Sequence, residues 1–248
     1  MVQYGFFFDQ SRCIGCQACA VACKDWNNIK PGPEKWLRIY EYEKGAFPTV
    51  RENILFIPCF HCENPVCIDA SSARGIYKEE KYGAVLIDPE KATKLRDAAA
   101  ACPYGAIVFE SDALDAKASK CTMCIDRLEE GKMPICVEAC PMRALDFGPL
   151  DQLQKKYGNL RELEDMPSGT LTKPSVVFKP KEPKRQLVPY DASKAIQLMS
   201  QRVDGLPPLY TSTSDVTEIP EGLIKRSKLL LKPSNTEELL ELTKNDEA

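Results

Sequence analysis

The chain has 248 residues, with 33 Lys and Arg against 36 Asp and Glu, a single His and 12 Cys. A net charge of -3 lacks the basic excess of a nucleic-acid binder, and no apolar run approaches the roughly 18 residues of a membrane span. Twelve Cys could build a disulfide scaffold or ligate metal, and their short, regular spacings favour metal, because closing such small loops constrains the unfolded chain little.

The first nine residues have no basic stretch, no long apolar run and no twin-Arg pair, so no export signal is expected. Phe6-Phe7-Phe8 reads as a short buried strand. Cys13, Cys16, Cys19 and Cys23 then follow as C-x2-C-x2-C-x3-C, a spacing that resembles bacterial ferredoxins. In those proteins three thiolates on a loop hold one cubane, while the fourth Cys ligates a second cluster. Trp26, Trp36 and Tyr40 are read as core residues, with shielding of a cluster as the alternative. A second set, Cys59, Cys62 and Cys67, surrounds the lone His61. The Cys set is complete without that imidazole, so His61 is expected to donate a hydrogen bond beside the ligands or to face solvent.

Val85-Leu86-Ile87 is a second strand-like run, and Cys102 stands alone before Pro103. Cys121, Cys124, Cys136 and Cys140 make the last set, ending in Cys140-Pro141. All the Cys lie between positions 13 and 140, whereas nine of the 19 Pro come after position 150, so a Cys-rich body gives way to an extension near Gly148-Pro149. Residues 149–157 are predicted to be a helix stopped by Gly158. Two further helices are expected at 192–202 and from Ser234, where Glu237 completes a capping box. The extension is expected to wrap a partner, with a partly disordered tail as the alternative.

An internal repeat underlies these sets. Counting backward from Cys102 by the ferredoxin spacing reaches Ala92, Leu95 and Ala98, and Val85-Leu86-Ile87-Asp88 precedes Ala92 as Phe6-Phe7-Phe8-Asp9 precedes Cys13. Ser71 occupies the corresponding fourth position after Cys59, Cys62 and Cys67, with Ser72 in the place of Pro. Four motifs would once have supplied sixteen Cys. By the crossed rule of two-cluster ferredoxins, one inner cluster would need Cys59, Cys62, Cys67 and Cys102, all present, and the other Ala92, Leu95, Ala98 and Ser71, all lost. The outer pair would use Cys13, Cys16, Cys19 with Cys140, and Cys121, Cys124, Cys136 with Cys23. Three complete ligand sets are therefore expected. A four-thiolate zinc site at Cys121, Cys124, Cys136 and Cys140 is the competing reading, opposed by the Cys-Pro endings and by the loss of one whole ligand set.

Four stretches carry a wider resemblance: 59–65 (CFHCENP), 101–105 (ACPYG), 120–127 (KCTMCIDR) and 134–141 (PICVEACP). They resemble the iron–sulfur subunit of the dimethyl sulfoxide reductase family of molybdenum or tungsten bis-pterin oxidoreductases, over roughly residues 3–160. Most members carry four cubanes. The three-cluster relatives include the small subunit of pyrogallol–phloroglucinol transhydroxylase, which this sequence resembles in its inner segment, and the beta subunit of soluble formate dehydrogenases. The resemblance implies a non-catalytic subunit with three 4Fe-4S clusters, passing electrons to or from a large pterin-bearing catalytic subunit. Alternatives are the small subunit of a transhydroxylase or aromatic dehydroxylase with no net external electron flow, and a free polyferredoxin carrier.

The expected fold is α+β, with two ferredoxin-like lobes. Residues 1–55 and 105–150 would form one, 56–104 the other, inserted, and 151–248 the partner-wrapping segment. A cytoplasmic location is expected, co-export with a twin-Arg-signalled partner staying open, with no direct membrane insertion and a membrane-anchor subunit as the less favoured alternative. Three loaded clusters would bring the net charge to about -9, and Lys24, Lys120, Arg127 and Arg143 are expected to offset part of it.

Overall fold

The computed structural model describes residues 2–32, 34–45 and 51–182. The chain divides into two units, Met1–Arg185 and Gln186–Ala248. The helices expected at 192–202 and from Ser234 lie outside the described residues.

The apolar run near the N-terminus becomes strand β1, Tyr4–Asp9, with Phe6, Phe7 and Phe8 all buried. It is the middle strand of a three-stranded sheet. On one side it pairs antiparallel with β8, Leu145–Pro149, and on the other parallel with β9, Val176–Lys179. Phe8 stands opposite Leu145, so the backbone five residues before Cys13 is held against the backbone five residues after Cys140. A second hairpin repeats that offset. Strand β4, Ile76–Lys78, pairs with β5, Val85–Ile87, and Ile76 opposes Ile87, five residues after Ser71 and five before Ala92. Helix α1, Ala18–Trp26, follows the first Cys loop. A long hairpin of β2, Arg38–Lys44, and β3, Arg51–Ile57, leads into the second. Short helices α2, Val66–Asp69, and α3, Arg96–Ala101, flank the inner motifs, with a 3-10 helix over Pro89–Lys94. The small hairpin of β6, Val108–Phe109, and β7, Ala118–Ser119, precedes α4, Ile125–Glu129, and α5, Ile135–Glu138. The predicted helix before Gly158 is α6, Leu150–Tyr157, and that Gly takes the positive φ of 94° that ends it.

Two expectations about domains need correction. The body does not end near 150. Residues 172–179 thread back through it, and the amides of Phe6 and Phe178 donate to Ser175 O (3.0 Å) and Leu160 O (2.7 Å). Helix α6 packs on β1 and β9, with Phe7 stacked on Tyr157 at 3.6 Å between ring centroids. The apolar Val176-Val177-Phe178 run is buried because β1 offers it a free strand edge. The two expected lobes also share a core. Phe60, Tyr82 and Tyr104 from the inner segment pack in the same cluster as Phe6, Phe8, Met123 and Phe147, since aromatic rings this large bury most area where both segments meet.

A truncation after Gly169 therefore removes β9 from the central sheet and is expected to yield little soluble protein. One after Glu182 should retain the full iron content of the unaltered chain. Soluble yield and iron per chain check both, and equal behaviour of the two truncations would contradict the placement of β9.

Candidate metal centres

Each Cys set sits on a tight loop followed by a short helix, and the backbone explains how the loop cups its thiols. In the three sets that keep their Cys, the residue just before the second Cys is in the left-handed region: Gly15 (φ 69°), His61 (φ 44°) and Met123 (φ 62°). That conformation turns the backbone on itself, bringing thiols three residues apart to one side. At Gly15 the left-handed φ suits glycine, and an added Cβ would displace the exposed Glu41 side chain. The backbone after three of the four fourth positions, all but Cys23, repeats as well. Three residues beyond Ser71, Cys102 and Cys140 stand Arg74 (φ 48°), Gly105 (φ 56°) and Arg143 (φ 50°), again left-handed. Four residues beyond, a backbone amide donates to the side chain: Gly75 to Ser71 Oγ (3.1 Å), Ala106 to Cys102 Sγ (3.5 Å) and Ala144 to Cys140 Sγ (3.3 Å). Ser71 thus retains the geometry of a fourth ligand with oxygen in place of sulfur.

The thiols gather around three small, nearly dry cavities. Cavity one, about 20 Å³, is bordered by Cys13, Cys16, Cys19 and Cys140. Cavity two, about 10 Å³, is bordered by Cys23, Cys121, Cys124 and Cys136. Cavity three, about 20 Å³, is bordered by Cys59, Cys62, Cys67 and Cys102. Cys13 and Cys140 meet because β1 pairs with β8, and Cys23 reaches cavity two because α1 packs on α5.

The four positions of the fourth set, Ser71, Ala92, Leu95 and Ala98, are all buried. Leu95 and Ala98 belong to a separate apolar cluster with Ile76, Val85, Ile107 and Ala118. The position matching Gly15 is Lys94, which lies in the 3-10 helix, and the loop has become helical.

Burial dominates the electrostatics. It pushes the thiols of Cys19, Cys23, Cys62 and Cys67 up to about 12, and those of Cys121 and Cys136 well above the ordinary thiol range. Neighbouring thiols of the same cavity push in the same direction. Clustered thiols with few charge partners, all but Cys16 buried or half-buried, are poor sites for free thiolates and good sites for a group that neutralises them. Soft iron–sulfur cores suit such a donor set. Hydrogen bonds to sulfur are already in place, from Asn27 Nδ2 to Cys23 (3.8 Å) and from the Met123 amide to Cys121 (3.4 Å).

The neighbouring residues divide differently from expectation. His61 does not face solvent: it is fully buried, its Nδ1 accepts from the Val85 amide (2.9 Å), and its Nε2 has no hydrogen-bond partner among the described residues. Burial holds this imidazole well below its usual range, and the Lys120 charge acts in the same direction. Trp36 borders cavity two and donates to Ser119 Oγ (2.7 Å), while Trp26 and Tyr40 are largely exposed. Of the four cations expected to offset cluster charge, Lys120 and Arg127 are buried. Lys24 and Arg143 instead reach the carbonyls of Gly32 and Glu138 at the surface. Thr172 escapes a reading of the sequence. It borders cavity three and bonds the Tyr104 hydroxyl (2.9 Å), yet it lies within what reads as extension, with no motif around it.

Repeated thiol loops of this kind make the chain a multi-motif 4Fe-4S protein, and its likeness to known proteins agrees. Residues 51–150 match the family described as 4Fe-4S dicluster domain, and residues 4–25 match the 4Fe-4S binding domain. The B subunit of anaerobic dimethyl sulfoxide reductase from Escherichia coli (strain K12) is 42% identical over 186 residues, covering 72% of this chain and 89% of that protein. Its counterpart in Haemophilus influenzae is 38% identical over 190 residues, covering 73% and 90%. Protein NrfC of Escherichia coli (strain K12) is 34% identical over 160 residues, covering 64% and 71%. The protein belongs to the family of iron–sulfur subunits of the dimethyl sulfoxide reductase type.

Proposed function

We propose that the chain carries three 4Fe-4S clusters and relays electrons to or from a molybdenum- or tungsten-bis-pterin catalytic subunit, on which the bond chemistry takes place. The observation that carries this reading is the grouping of all twelve thiols, four to a cavity, around three small cavities. Cys13, Cys16, Cys19 and Cys140 would hold the first cluster, Cys23, Cys121, Cys124 and Cys136 the second, and Cys59, Cys62, Cys67 and Cys102 the third. A cubane on four thiolates supplies one-electron storage at a potential the surrounding protein adjusts. The residues of this chain keep water from the thiols with Phe6, Phe60, Met123 and Trp36, and aim backbone amides at sulfur.

The packed fourth site supports a second reading. With Leu95 and Ala98 packed in an apolar cluster and Ser71 and Ala92 buried, the relay ends at cavity three, as suits a transhydroxylase or dehydroxylase small subunit that exchanges electrons only inside its own complex. A cytoplasmic complex fits either reading. Among the described residues no helix is long and apolar enough to cross a membrane.

Iron and acid-labile sulfide per chain, measured on anaerobically purified complex, test the proposal. About twelve of each is expected, four for each cubane. About sixteen would overturn the three-cluster count, and zinc in place of iron would overturn electron relay altogether.

A further inference from the structure

Lys120 is the cation in this structure that most needs an explanation. It is 3% exposed, and its ammonium donates to two backbone carbonyls, Val85 O and Cys121 O (3.0 Å). No carboxylate among the described residues pairs with it. Arg127, the other buried cation of this region, is different: its guanidinium pairs with Glu138, donates to Met133 O (2.8 Å) and lies over the Trp26 ring. A buried ammonium satisfied by neutral carbonyls alone carries a heavy desolvation penalty unless negative charge stands nearby.

The nearby candidates are the cavities. Lys120 immediately precedes Cys121 of cavity two, and its ammonium donates to the carbonyl of Val85, which borders cavity three. The two cavities adjoin there, where Cys59 and Cys121 pack together around Ala106. Lys120 is pinned by β5, the strand that precedes the motif in which only Cys102 is kept. The Val85 amide donates to His61 Nδ1 and the Val85 carbonyl accepts from Lys120. The same Val85 borders cavity three and packs in the apolar cluster that holds Leu95 and Ala98. The retained half of the altered motif therefore holds the ammonium in place.

We propose that Lys120 is a positioning residue: a fixed, uncompensated cation at the seam of cavities two and three that raises the reduction potentials of the clusters in those two cavities and leaves that in cavity one unchanged. This rests on the three-cluster reading, which the iron content of the unaltered chain tests separately.

The experiment is a redox titration followed by electron paramagnetic resonance on the full-length chain in its complex, comparing Lys120→Met, Lys120→Gln and Lys120→Arg with the unaltered protein. In Lys120→Met, iron content should hold and two midpoints should fall, at least one of them enough to change the oxidised-to-reduced ratio at least tenfold, about 59 mV for one electron. The third should stay, and Lys120→Arg should behave as the unaltered chain does. Intact iron with all midpoints unchanged, or all three lowered equally, would overturn the proposal. If Lys120→Met fails to load, Lys120→Gln, which keeps an N–H donor, is judged by the same criteria. Loss of about eight of twelve irons from both neutral variants, with Lys120→Arg fully loaded, supports a required charge. Loss from Lys120→Arg as well would make Lys120 a packing residue and overturn the proposal.

Discussion

Cys23→Ala is expected to abolish the same cluster signal as Cys121→Ala, and to leave the signal removed by Cys13→Ala untouched. In sequence Cys23 belongs with Cys13, Cys16 and Cys19, so straight ligation would give the opposite result. In the fold Cys23 is buried on α1, facing cavity two beside Cys121, Cys124 and Cys136, and Cys140 takes its place at cavity one. Double variants make the distinction sharp. Cys23→Ala with Cys121→Ala should lose about four of twelve irons, no more than either alone, because both fall on one cluster. Cys23→Ala with Cys13→Ala should lose about eight. A loss of four in the second pair and eight in the first would establish straight ligation and discard the crossed scheme. Cys140→Ala provides the mirror test and should behave as a partner of Cys13→Ala.

The second large effect concerns the filled site. Restoring all four lost ligands, as Ser71→Cys, Ala92→Cys, Leu95→Cys and Ala98→Cys together, should leave iron at about twelve per chain and destabilise the protein. Leu95 is wholly buried, and shortening a buried Leu typically costs about 2–5 kcal/mol. The backbone is the deeper obstacle. Each intact loop has a left-handed residue just before its second Cys, at Gly15, His61 and Met123. Lys94 at the matching place is in a 3-10 helix, which would set thiols at 92, 95 and 98 in a row rather than a cup. Leu95 also closes on Gly75, where an added Cβ would stand 2.9 Å from its Cδ2. Iron rising to about sixteen would show that the loop reopens around a cluster and that side chains alone decide occupancy. Unchanged iron with a lowered unfolding midpoint is the expected result.

Much of the site can be read in the sequence because ligand spacing is local. A loop of two residues between thiols constrains geometry regardless of what surrounds it, and the expected fourth set is marked in the repeat by Ser71, Ala92, Leu95 and Ala98. Strands β1 and β5 and helix α6 are legible for the same reason, as short runs of one period bounded by turn residues. What escapes depends on contacts far apart in sequence. Val176-Val177-Phe178 lies between Pro174 and Pro180 and reads as one more stretch of extension. Only the unpaired edge of β1 makes it a strand, with Asp9 and Lys179 joined across the pair at 3.1 Å. Thr172 comes to cavity three by that same return path. The sequence neighbours of His61 suggest a role beside the ligands, whereas its buried Nδ1 answers to Val85. The shared core of Phe6, Phe60 and Tyr104 likewise has no sequence signature, because each ring is compatible with a lobe of its own.

The central sheet sets a timetable for biosynthesis. Cavity one needs Cys13 and Cys140, 127 positions apart (140 minus 13), and β1 gains its second neighbour only when Lys179 has left the ribosome. At a synthesis rate of about 5–20 residues per second, the first three thiols wait several seconds without the fourth. The Cys of cavity three, all between Cys59 and Cys102, emerge together much sooner. The N-terminal thiols are thus the last to be enclosed although the first to be made, and whatever delivers iron and sulfide to them must guard an open, oxygen-sensitive polypeptide until its far end arrives.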